Sequence, residues 1–125
     1  GDLTGALDMT IDGSVYVLRE GGIVVKLLRG EAQKFELANA PEGALLTATK
    51  MFKVTEGNFY FLDPEKKRVL VSAPETAPDG NSAYLRQYIF EGDQLGTLQD
   101  LYVDADQSHL YVIDEKRLYV IDLGA

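Results

Sequence analysis

The stretch that decides the fold is Leu110-Tyr-Val-Ile-Asp114-Glu-Lys-Arg117-Leu-Tyr-Val-Ile-Asp122, in which one apolar pattern occurs twice around a polar turn. Runs rich in Val, Ile, Leu and Tyr that are bounded by charged residues are typical of β-strands joined by a short turn. A third run of the same kind, Asp100-Leu-Tyr-Val-Asp104, precedes them. Residues 100–122 therefore predict three consecutive antiparallel strands.

The same pattern of three runs occurs twice more along the chain. The first copy starts with Asp8-Met-Thr-Ile-Asp12 and the second with Met51-Phe-Lys-Val54. With the Tyr of each middle run as a ruler, Tyr16 and Tyr60 are 44 residues apart, and Tyr60 and Tyr111 are 51 residues apart. A period of this length is typical of proteins built from repeated structural units.

A fourth strand follows in the first two repeats, at Gln33–Leu37 and at Tyr84–Phe90. The longer second interval contains Glu75–Ser82, a Pro, Gly and Asn-rich insertion that predicts a loop. Between the first two repeats, Pro41 and Gly43 predict a turn within residues 38–48. No stretch of about 11 residues holds apolar side chains at helical spacing, so the sequence predicts an all-β chain.

Many of these strands are continuously apolar instead of alternating, among them Val15–Leu18, Phe59–Leu62 and Leu110–Ile113. A continuously apolar strand is covered on both of its faces. Since no helix is predicted, the cover must come from neighbouring sheets, as between the blades of a propeller. We therefore expect a β-propeller segment of about three four-stranded antiparallel blades, the third without its outer strand. Within one unit of residues 1–125, the expected blades span about residues 3–37, 48–90 and 95–123.

The second repeat carries a family resemblance. Phe59-Tyr-Phe-Leu-Asp63-Pro-Glu-Lys-Lys-Arg68-Val-Leu-Val71, followed by Tyr84-Leu-Arg-Gln-Tyr-Ile-Phe90, resembles a blade of the NHL-type or TolB-like propellers, a bacterial six-bladed family. The third repeat is similar in its inner part, with Asp114 and Arg117 near the matching Asp and Arg positions. The first repeat departs from the pattern, because no Arg opens its third strand. The resemblance implies a fold and indicates no particular activity.

The ends of the repeats predict an open assembly. Leu3–Ile11 aligns with Leu95–Val103 without a gap, and the chain stops just after a third strand. Propellers close with about 4 to 8 blades, so three blades would leave an apolar face of several hundred Å² at each end. Two arrangements fit: the C-terminal part of a longer propeller, or copies that associate head to tail, with two copies giving six blades. Self-association through the exposed blade faces is expected in either case.

Composition excludes several classes of partner and site. The chain has 12 basic and 20 acidic side chains, a net charge of -8, which disfavours binding to nucleic acid or to an anionic membrane. No apolar run reaches the roughly 18 residues of a membrane span, so no membrane insertion is expected of this segment. With no Cys and a single His, neither a thiolate metal site nor a Ser-His-Asp or Cys-His catalytic set is expected. No Gly-rich phosphate loop is found, and no cofactor is expected.

The turn that contains the single His109 is a weak metal-site candidate. Asp104, Asp106 and Ser108 stand at alternate positions in it and offer oxygen atoms to a cation such as Ca²⁺. The alternative is a hairpin turn in which the Asp and Ser side chains accept hydrogen bonds from nearby backbone amides. The Gly and the distal Glu of an EF-hand loop are missing, which favours the turn.

Two further sets of polar residues recur with the repeats. One set flanks equivalent turns, where it forms either the rim of a ligand channel or an ion pair that fixes the turn. The other set brackets the first strand of a blade near the axis of the ring, where it supplies either paired carboxylates for acid-base chemistry or turn contacts. The first set is Asp63, Arg68, Asp114 and Arg117, and the second is Asp8, Asp12, Asp100 and Asp104.

These features predict a non-catalytic propeller segment that acts as a protein-interaction or ligand-sensing scaffold. A catalytic pair does not normally recur once per blade, which favours structural roles for the repeated Asp and Arg residues. The alternative is part of a propeller hydrolase or lyase whose site forms when the ring is complete, with axial Asp residues contributing. A convergent pocket of polar groups would favour the enzyme, and scattered solvated ones would favour the scaffold.

Overall fold

Strands account for the regular structure of the chain, as the sequence predicts. The structure is a computed structural model that describes residues 2–75 and 80–124, so residues 76–79 of the predicted loop lie outside the described residues. The described residues form twelve strands and no helix, which confirms the all-β class. They are β1 Ala6–Asp12, β2 Ser14–Arg19, β3 Ile23–Leu28, β4 Glu31–Gln33, β5 Glu36–Ala38, β6 Lys50–Lys53, β7 Phe59–Asp63, β8 Arg68–Ser72, β9 Asn81–Ile89, β10 Asp100–Val103, β11 His109–Ile113 and β12 Leu118–Asp122.

The strands form three consecutive sheets. The first sheet has the order β1-β2-β3-β4 and the third has the order β10-β11-β12, and both are antiparallel. The second sheet is the antiparallel run β6 to β9, to which β5 adds in parallel beside β9. No closed sheet is found among the described strands. Nor does the described part of the chain contain a helix that is long and apolar enough to cross a membrane.

The fourth strand of the first repeat differs from the prediction. The sequence predicts one strand at Gln33–Leu37, whereas the structure has β4 on the first sheet and β5 on the second. The reason is Phe35, which lies between β4 and β5 and is 9% exposed. Its ring packs edge to face on Tyr16 at 5.7 Å and on Phe59 at 5.1 Å, between ring centroids. Burial of this ring draws the chain from the edge of one sheet to the edge of the next.

The link between the first two sheets is a series of tight turns. The amides of Ala44, Leu46 and Ala48 each donate to the carbonyl three residues earlier, at 3.0 to 3.1 Å. Leu45 and Ala48 are buried, so the link closes one side of the space between the two sheets. The turn predicted within residues 38–48 is therefore confirmed.

Two hydrophobic cores lie between the sheets. The first core joins the first and second sheets and the second core joins the second and third sheets. The buried members of the first core are Tyr16, Leu18, Phe35, Ala44, Leu45, Ala48, Met51, Phe59, Phe61 and Leu70. Those of the second are Val54, Tyr60, Leu62, Val69, Val71, Leu98, Leu101, Val103, Leu110 and Val112.

The expectation that continuously apolar strands are covered on both faces holds for one sheet. Every residue of β7 and β8 is buried, because the second sheet lies between the two cores. The expectation is wrong for β3, β11 and β12 within the described chain. The ends of β3 are exposed, only Leu110 and Val112 of β11 are buried, and β12 alternates between exposed and half-buried residues. The first and third sheets have a neighbour on one side each. The first strands of successive sheets are adjacent: β1 contacts β6, and β6 contacts β10.

Candidate functional site

Asp8, the third residue of β1, and Asp100, the first residue of β10, bind backbone amides. In the first sheet, Oδ1 of Asp8 accepts a hydrogen bond from the amide of Met9 at 2.9 Å, and Oδ2 accepts one from the amide of Met51, on the next sheet, at 3.0 Å. In the third sheet, Oδ1 of Asp100 accepts a hydrogen bond from the amide of Leu101 at 2.9 Å. Both carboxylates therefore satisfy amides of a first strand, and Asp8 also ties the first sheet to the second.

Asp12 belongs to a charged contact between the first two sheets. Its Oδ2 lies 2.6 Å from Nζ of Lys53 and accepts a hydrogen bond from the amide of Glu56 at 3.1 Å. The bond from Lys53 holds the pKa of the Asp12 carboxyl below its ordinary value, and burial opposes this in part. The Lys53 side chain is 6% exposed, and its ammonium group lies 5.2 Å from the centre of the Phe59 ring.

Sequence reasoning missed Lys53. Its signal is a charge inside a first strand, at the position where the other repeats have Ile11 and Val103. A buried ammonium group needs a carboxylate partner, because burying an unpaired charge is costly. The unusual lysine therefore predicts an acidic partner on a neighbouring sheet, and that partner is Asp12.

Asp63 and Arg68 form a buried ion pair across the turn between β7 and β8. Nε of Arg68 lies 2.9 Å from Oδ2 of Asp63, whose Oδ1 accepts a hydrogen bond from the hydroxyl of Thr47 at 2.6 Å. The guanidinium group also donates to the carbonyl of Ala44 at 3.2 Å and to Oε1 of Gln87 at 3.0 Å. The pair thus joins the turn to the link before the second sheet.

Asp114 takes the matching place in the third sheet and is saturated by donors. Its Oδ1 accepts hydrogen bonds from the amides of Lys116 and Arg117, both at 2.7 Å. Its Oδ2 accepts hydrogen bonds from the amide of Gly96 at 3.0 Å and the hydroxyl of Tyr119 at 2.7 Å. The hydroxyl of Tyr119, followed by these amides, holds the pKa of the Asp114 carboxyl well below its ordinary range.

The guanidinium group of Arg117 binds elsewhere. It donates to the backbone carbonyl of Gln94 at 3.1 Å and to the Oε1 of the same residue at 2.7 Å. Asp114 and Arg117 therefore hold the link before the third sheet by separate bonds, whereas Asp63 and Arg68 act as a pair. The four residues lie at equivalent turns, and each of them contacts the link that precedes its own sheet or the turn it flanks.

The turn before β11 brings a serine, the histidine and an aspartate together. Oδ2 of Asp104 accepts a hydrogen bond from the hydroxyl of Ser108 at 3.0 Å and lies 3.0 Å from Nδ1 of His109. The Ser108 oxygen lies 3.1 Å from the same Nδ1. A catalytic relay needs the serine and the carboxylate on the two different ring nitrogens of the histidine. This cluster places both on one nitrogen, so its geometry does not activate the serine.

The predicted metal candidates are occupied by contacts within the turn. Besides the Asp104 bonds, Oδ1 of Asp106 accepts a hydrogen bond from the amide of Ser108 at 3.1 Å. Hydrogen bonds from Ser108 lower the pKa of the Asp106 carboxyl from its ordinary value. In residues 2–75 and 80–124 there is no group of three or more His, Asp or Glu side chains arranged to hold a metal ion.

A glutamine ties the second sheet to the third. Oε1 of Gln107 accepts hydrogen bonds from the amide of Asn58 and from the hydroxyl of Tyr60, both at 3.0 Å. Burial raises the pKa of Tyr60 above its ordinary value. Polar contacts of this kind join both pairs of neighbouring sheets, with Asp8 and Asp12 between the first two and Gln107 between the last two.

The outer side of the first sheet is an exposed apolar surface, which we call the N-terminal open face. Strand register places its side chains on one side of the sheet, opposite Tyr16 and Leu18 of the first core. Met9 is 55% exposed and Ile11 is 62% exposed. The face consists of Met9, Ile11, Val15, Ile23, Val25 and Leu27, with Val17 buried at its centre.

The outer side of the third sheet is the second such surface, the C-terminal open face. Its residues are opposite Leu110 and Val112 of the second core, and Leu118 and Val120 are 60% and 53% exposed. Part of the face forms a shallow depression of about 290 Å³. The face consists of Tyr102, Tyr111, Ile113, Leu118 and Val120.

Comparison with known proteins leaves the family open, because no protein-family model matches the chain and no curated protein sequence is significantly similar to it. The site must therefore be judged on its own chemistry. The acidic side chains singled out above accept hydrogen bonds from turns, links and neighbouring sheets. The two open faces are large apolar surfaces without such an internal role, and surfaces of that kind mark sites of interaction. They are the candidate functional site.

Proposed function

We propose that the chain is a β-propeller segment that acts as a non-catalytic protein-interaction scaffold through its two end sheets. Support for a propeller comes from three successive sheets whose faces pack on each other and whose first strands are adjacent. The similarity of the second repeat to NHL-type and TolB-like blades agrees with this arrangement. The further sheets would come from other blades of a longer chain or from another copy.

The observation that carries the proposal is the pair of open faces at opposite ends of the stack. In the second sheet, the corresponding strands β7 and β8 are buried on both faces. Fully burying an exposed Val, Leu or Ile side chain contributes about 1.5 to 3 kcal/mol, and each partly exposed side chain of the open faces would contribute part of this when covered. Binding at either end therefore has an apolar driving force, and an apolar sheet face is complementary to the face of another sheet.

The enzymatic alternative, a propeller hydrolase or lyase, depends on carboxylates that are able to take up and release protons. Asp8, Asp12, Asp63 and Asp114 each accept hydrogen bonds from amides or cationic groups. These carboxylates are engaged by groups within the protein, whereas a catalytic carboxylate must lie within hydrogen-bond reach of a bound substrate. The contacts in the structure therefore favour the scaffold.

Photo-cross-linking tests this proposal directly. A benzoyl-phenylalanine residue is placed at Ile11 on the N-terminal open face, at Val120 on the C-terminal open face, and at exposed Glu65 in a turn of the second sheet as a control. Illumination in cells of the source organism is expected to give protein adducts at positions 11 and 120 in excess of position 65. The proposal fails if the two faces give no more adduct than the control.

A further inference from the structure

The two interfaces inside the chain have the same direction. In each interface, one sheet contributes the face that carries the tyrosine of its second strand, which we call its tyrosine face. The following sheet contributes the face that lacks this tyrosine, which we call its non-tyrosine face. Tyr16 of the first sheet lies in the first core with Phe61 and Leu70 of the second. Tyr60, on the other side of the second sheet, lies in the second core with Leu101 and Val112 of the third. A tyrosine face of one sheet therefore packs on a non-tyrosine face of the next.

The C-terminal open face is a tyrosine face on which none of the described strands packs. It contains Tyr111, which matches Tyr16 and Tyr60 in the repeat. The strand pairing of the second and third sheets has the same register at this tyrosine across three strands. The row Tyr102, Tyr111 and Val120 in the third sheet corresponds to the row Phe52, Tyr60 and Val71 in the second.

The N-terminal open face is a non-tyrosine face on which no sheet from residues 2–75 and 80–124 packs. Its rows of cross-strand neighbours correspond to the rows on the face of the third sheet that packs against the second sheet. The row Met9, Val17 and Val25 corresponds to Leu101, Val112 and Tyr119, and the row Ile11, Val15 and Leu27 corresponds to Val103, Leu110 and Ile121. The two open faces are thus the two halves of an interface that occurs twice within the chain.

The residues that lead into the first sheet agree with this. In the links before the second and third sheets, Leu45 and Leu95 stand five positions before the first strand's opening residue, and both contact a core. Leu3 stands at the same position before Asp8 and is 41% exposed. The Leu3–Ala6 turn has the same hydrogen bond as the Leu45–Ala48 turn, at 3.0 and 3.1 Å. By this match, Leu3 is placed to pack into a core on the outer side of the first sheet once another sheet covers that side.

We propose that copies of this chain assemble head to tail, with the C-terminal open face of one copy packed on the N-terminal open face of another. This inference rests on the proposed function and names its partner as a second copy, since each copy carries both halves of the repeated interface. Two copies related by a two-fold axis would make this contact twice and would bring six sheets into a ring, within the size range of closed propellers. Each ring would bury both open faces of both copies.

A complementation experiment tests the direction of assembly. Ile11→Lys blocks the N-terminal open face, Val120→Glu blocks the C-terminal open face, and Glu65→Lys changes charge at an exposed turn away from both faces. Both blocked positions are more than half exposed in the single chain, so the variants are expected to fold, which circular dichroism checks. The molar mass of each protein, and of an equimolar mixture of the two blocked variants, is measured by light scattering and sedimentation equilibrium.

The wild type and Glu65→Lys are expected to have twice the 13.8 kDa mass of the chain. Each blocked variant alone is expected to be monomeric, with a dissociation constant raised roughly 30-fold or more, because a charge would be buried in an apolar contact. The mixture is expected to recover the dimer, because one contact in it joins two unmodified faces and the other places Lys opposite Glu.

Two results would overturn the inference. A wild-type mass of one chain at every concentration would show that copies do not assemble, and a blocked variant that remains dimeric alone would show that like faces pair with each other. Neither result decides the proposed function, because cross-links from positions 11 and 120 to a different protein would still support a scaffold. Cross-links from both positions to other copies of the chain alone, with assembly intact in the mixture, would instead support this inference and remove the proposed binding of other proteins.

Discussion

The third strands of the second and third sheets are similar in sequence and opposite in exposure. β8, Arg68–Ser72, is buried at every position, whereas β12, Leu118–Asp122, alternates between exposed and half-buried positions. Both strands are predominantly apolar and both follow a turn that contains the Asp and Arg positions of the repeat. The difference lies in the neighbours, because the second sheet has a core on each side and the third has a core on one side.

The comparison shows that burial in this molecule is a property of position in the stack. A continuously apolar strand requires cover on both faces, but the strand itself does not supply the second face. The second sheet therefore shows how completely the apolar side chains of a repeat are buried when both faces of its sheet are covered. The first and third sheets bury fewer of their apolar side chains, because each has one uncovered face.

Matched leucine truncations in these two strands test the comparison with the largest expected effect. Leu70 in β8 is fully buried and Leu118 in β12 is 60% exposed. Leu70→Ala is expected to lower the free energy of unfolding by about 3 to 4 kcal/mol, because it removes apolar contacts and leaves a cavity. Leu118→Ala is expected to lower it by less than about 1 kcal/mol in the monomer. Urea unfolding, monitored by circular dichroism at dilute protein, measures both.

The dilute condition matters, because at concentrations where copies associate the Leu118→Ala variant also loses contacts between copies. The apparent cost of Leu118→Ala is then expected to rise with protein concentration, while that of Leu70→Ala stays nearly constant. Equal losses for the two variants in the monomer would contradict the view that the third sheet has an uncovered face.

Two adjacent glycines test which face of the first sheet is closed. Gly21 and Gly22 both have a positive φ, at 86° and 81°. A Cβ at Gly22 would lie 2.8 Å from the backbone carbonyl carbon of Leu45 in the link, whereas a Cβ at Gly21 would have nothing within 4 Å. Gly21→Ala is expected to cost about 1 kcal/mol from the backbone conformation. Gly22→Ala is expected to cost about 2 to 3 kcal/mol, because the link must also move.

Thermal and urea unfolding of both alanine variants measure this difference, and Gly21→Ala serves as the control for backbone strain. If the two variants lose the same stability, the link does not press on the first sheet at Gly22, and the first core is less tightly closed than the structure shows. If the difference appears, it locates the closed side of the first sheet opposite its open face.

The sequence predicts the features that depend on local pattern. Short apolar runs bounded by polar turns, as in residues 110–122, predict strand, turn and strand because the strand preference of Val, Ile, Leu and Tyr and the chemistry of turns act over a few residues. The three sheets and the Ala-rich link follow in the same way. The recurrence of Asp at matched positions also predicts its turn-like contacts, since Asp8 and Asp100 make the same bond to the following amide.

Features that depend on contacts between distant residues were not predictable from the pattern. Gln33–Leu37 alternates like one strand, but burial of Phe35 against Tyr16 and Phe59 divides it between two sheets. Glu75 binds Lys26 on the first sheet at 2.8 Å, a pairing across 49 residues that no local pattern shows. The membership of each open face likewise required the strand register, because a shift of one residue exchanges the two faces.

Asp114 supplies the smallest test and compares the turns of the second and third sheets. Its low folded-state pKa means that the ionised carboxylate stabilises the fold. This stabilisation is present above the unfolded-state pKa of about 3.9 and is lost as the pH falls through the folded-state value. The difference in free energy of unfolding between wild type and Asp114→Asn is therefore expected to be greatest near neutral pH and to shrink below about pH 4.

The measurement compares urea unfolding of the two proteins between about pH 7 and about pH 2.5, since other acidic groups titrate in both and cancel in the difference. Tyr119→Phe supplies the matched control, because it removes the donor with the largest effect on Asp114 while leaving three amide donors. Carboxyl NMR titration is expected to show the pKa of Asp114 raised in Tyr119→Phe and still below its ordinary value. A difference that is independent of pH would mean that Asp114 has the same pKa in the folded and unfolded states, so that its ionisation adds nothing to the stability of the turn. The third sheet would then hold its link without the ionic contribution that the Asp63–Arg68 pair gives to the second.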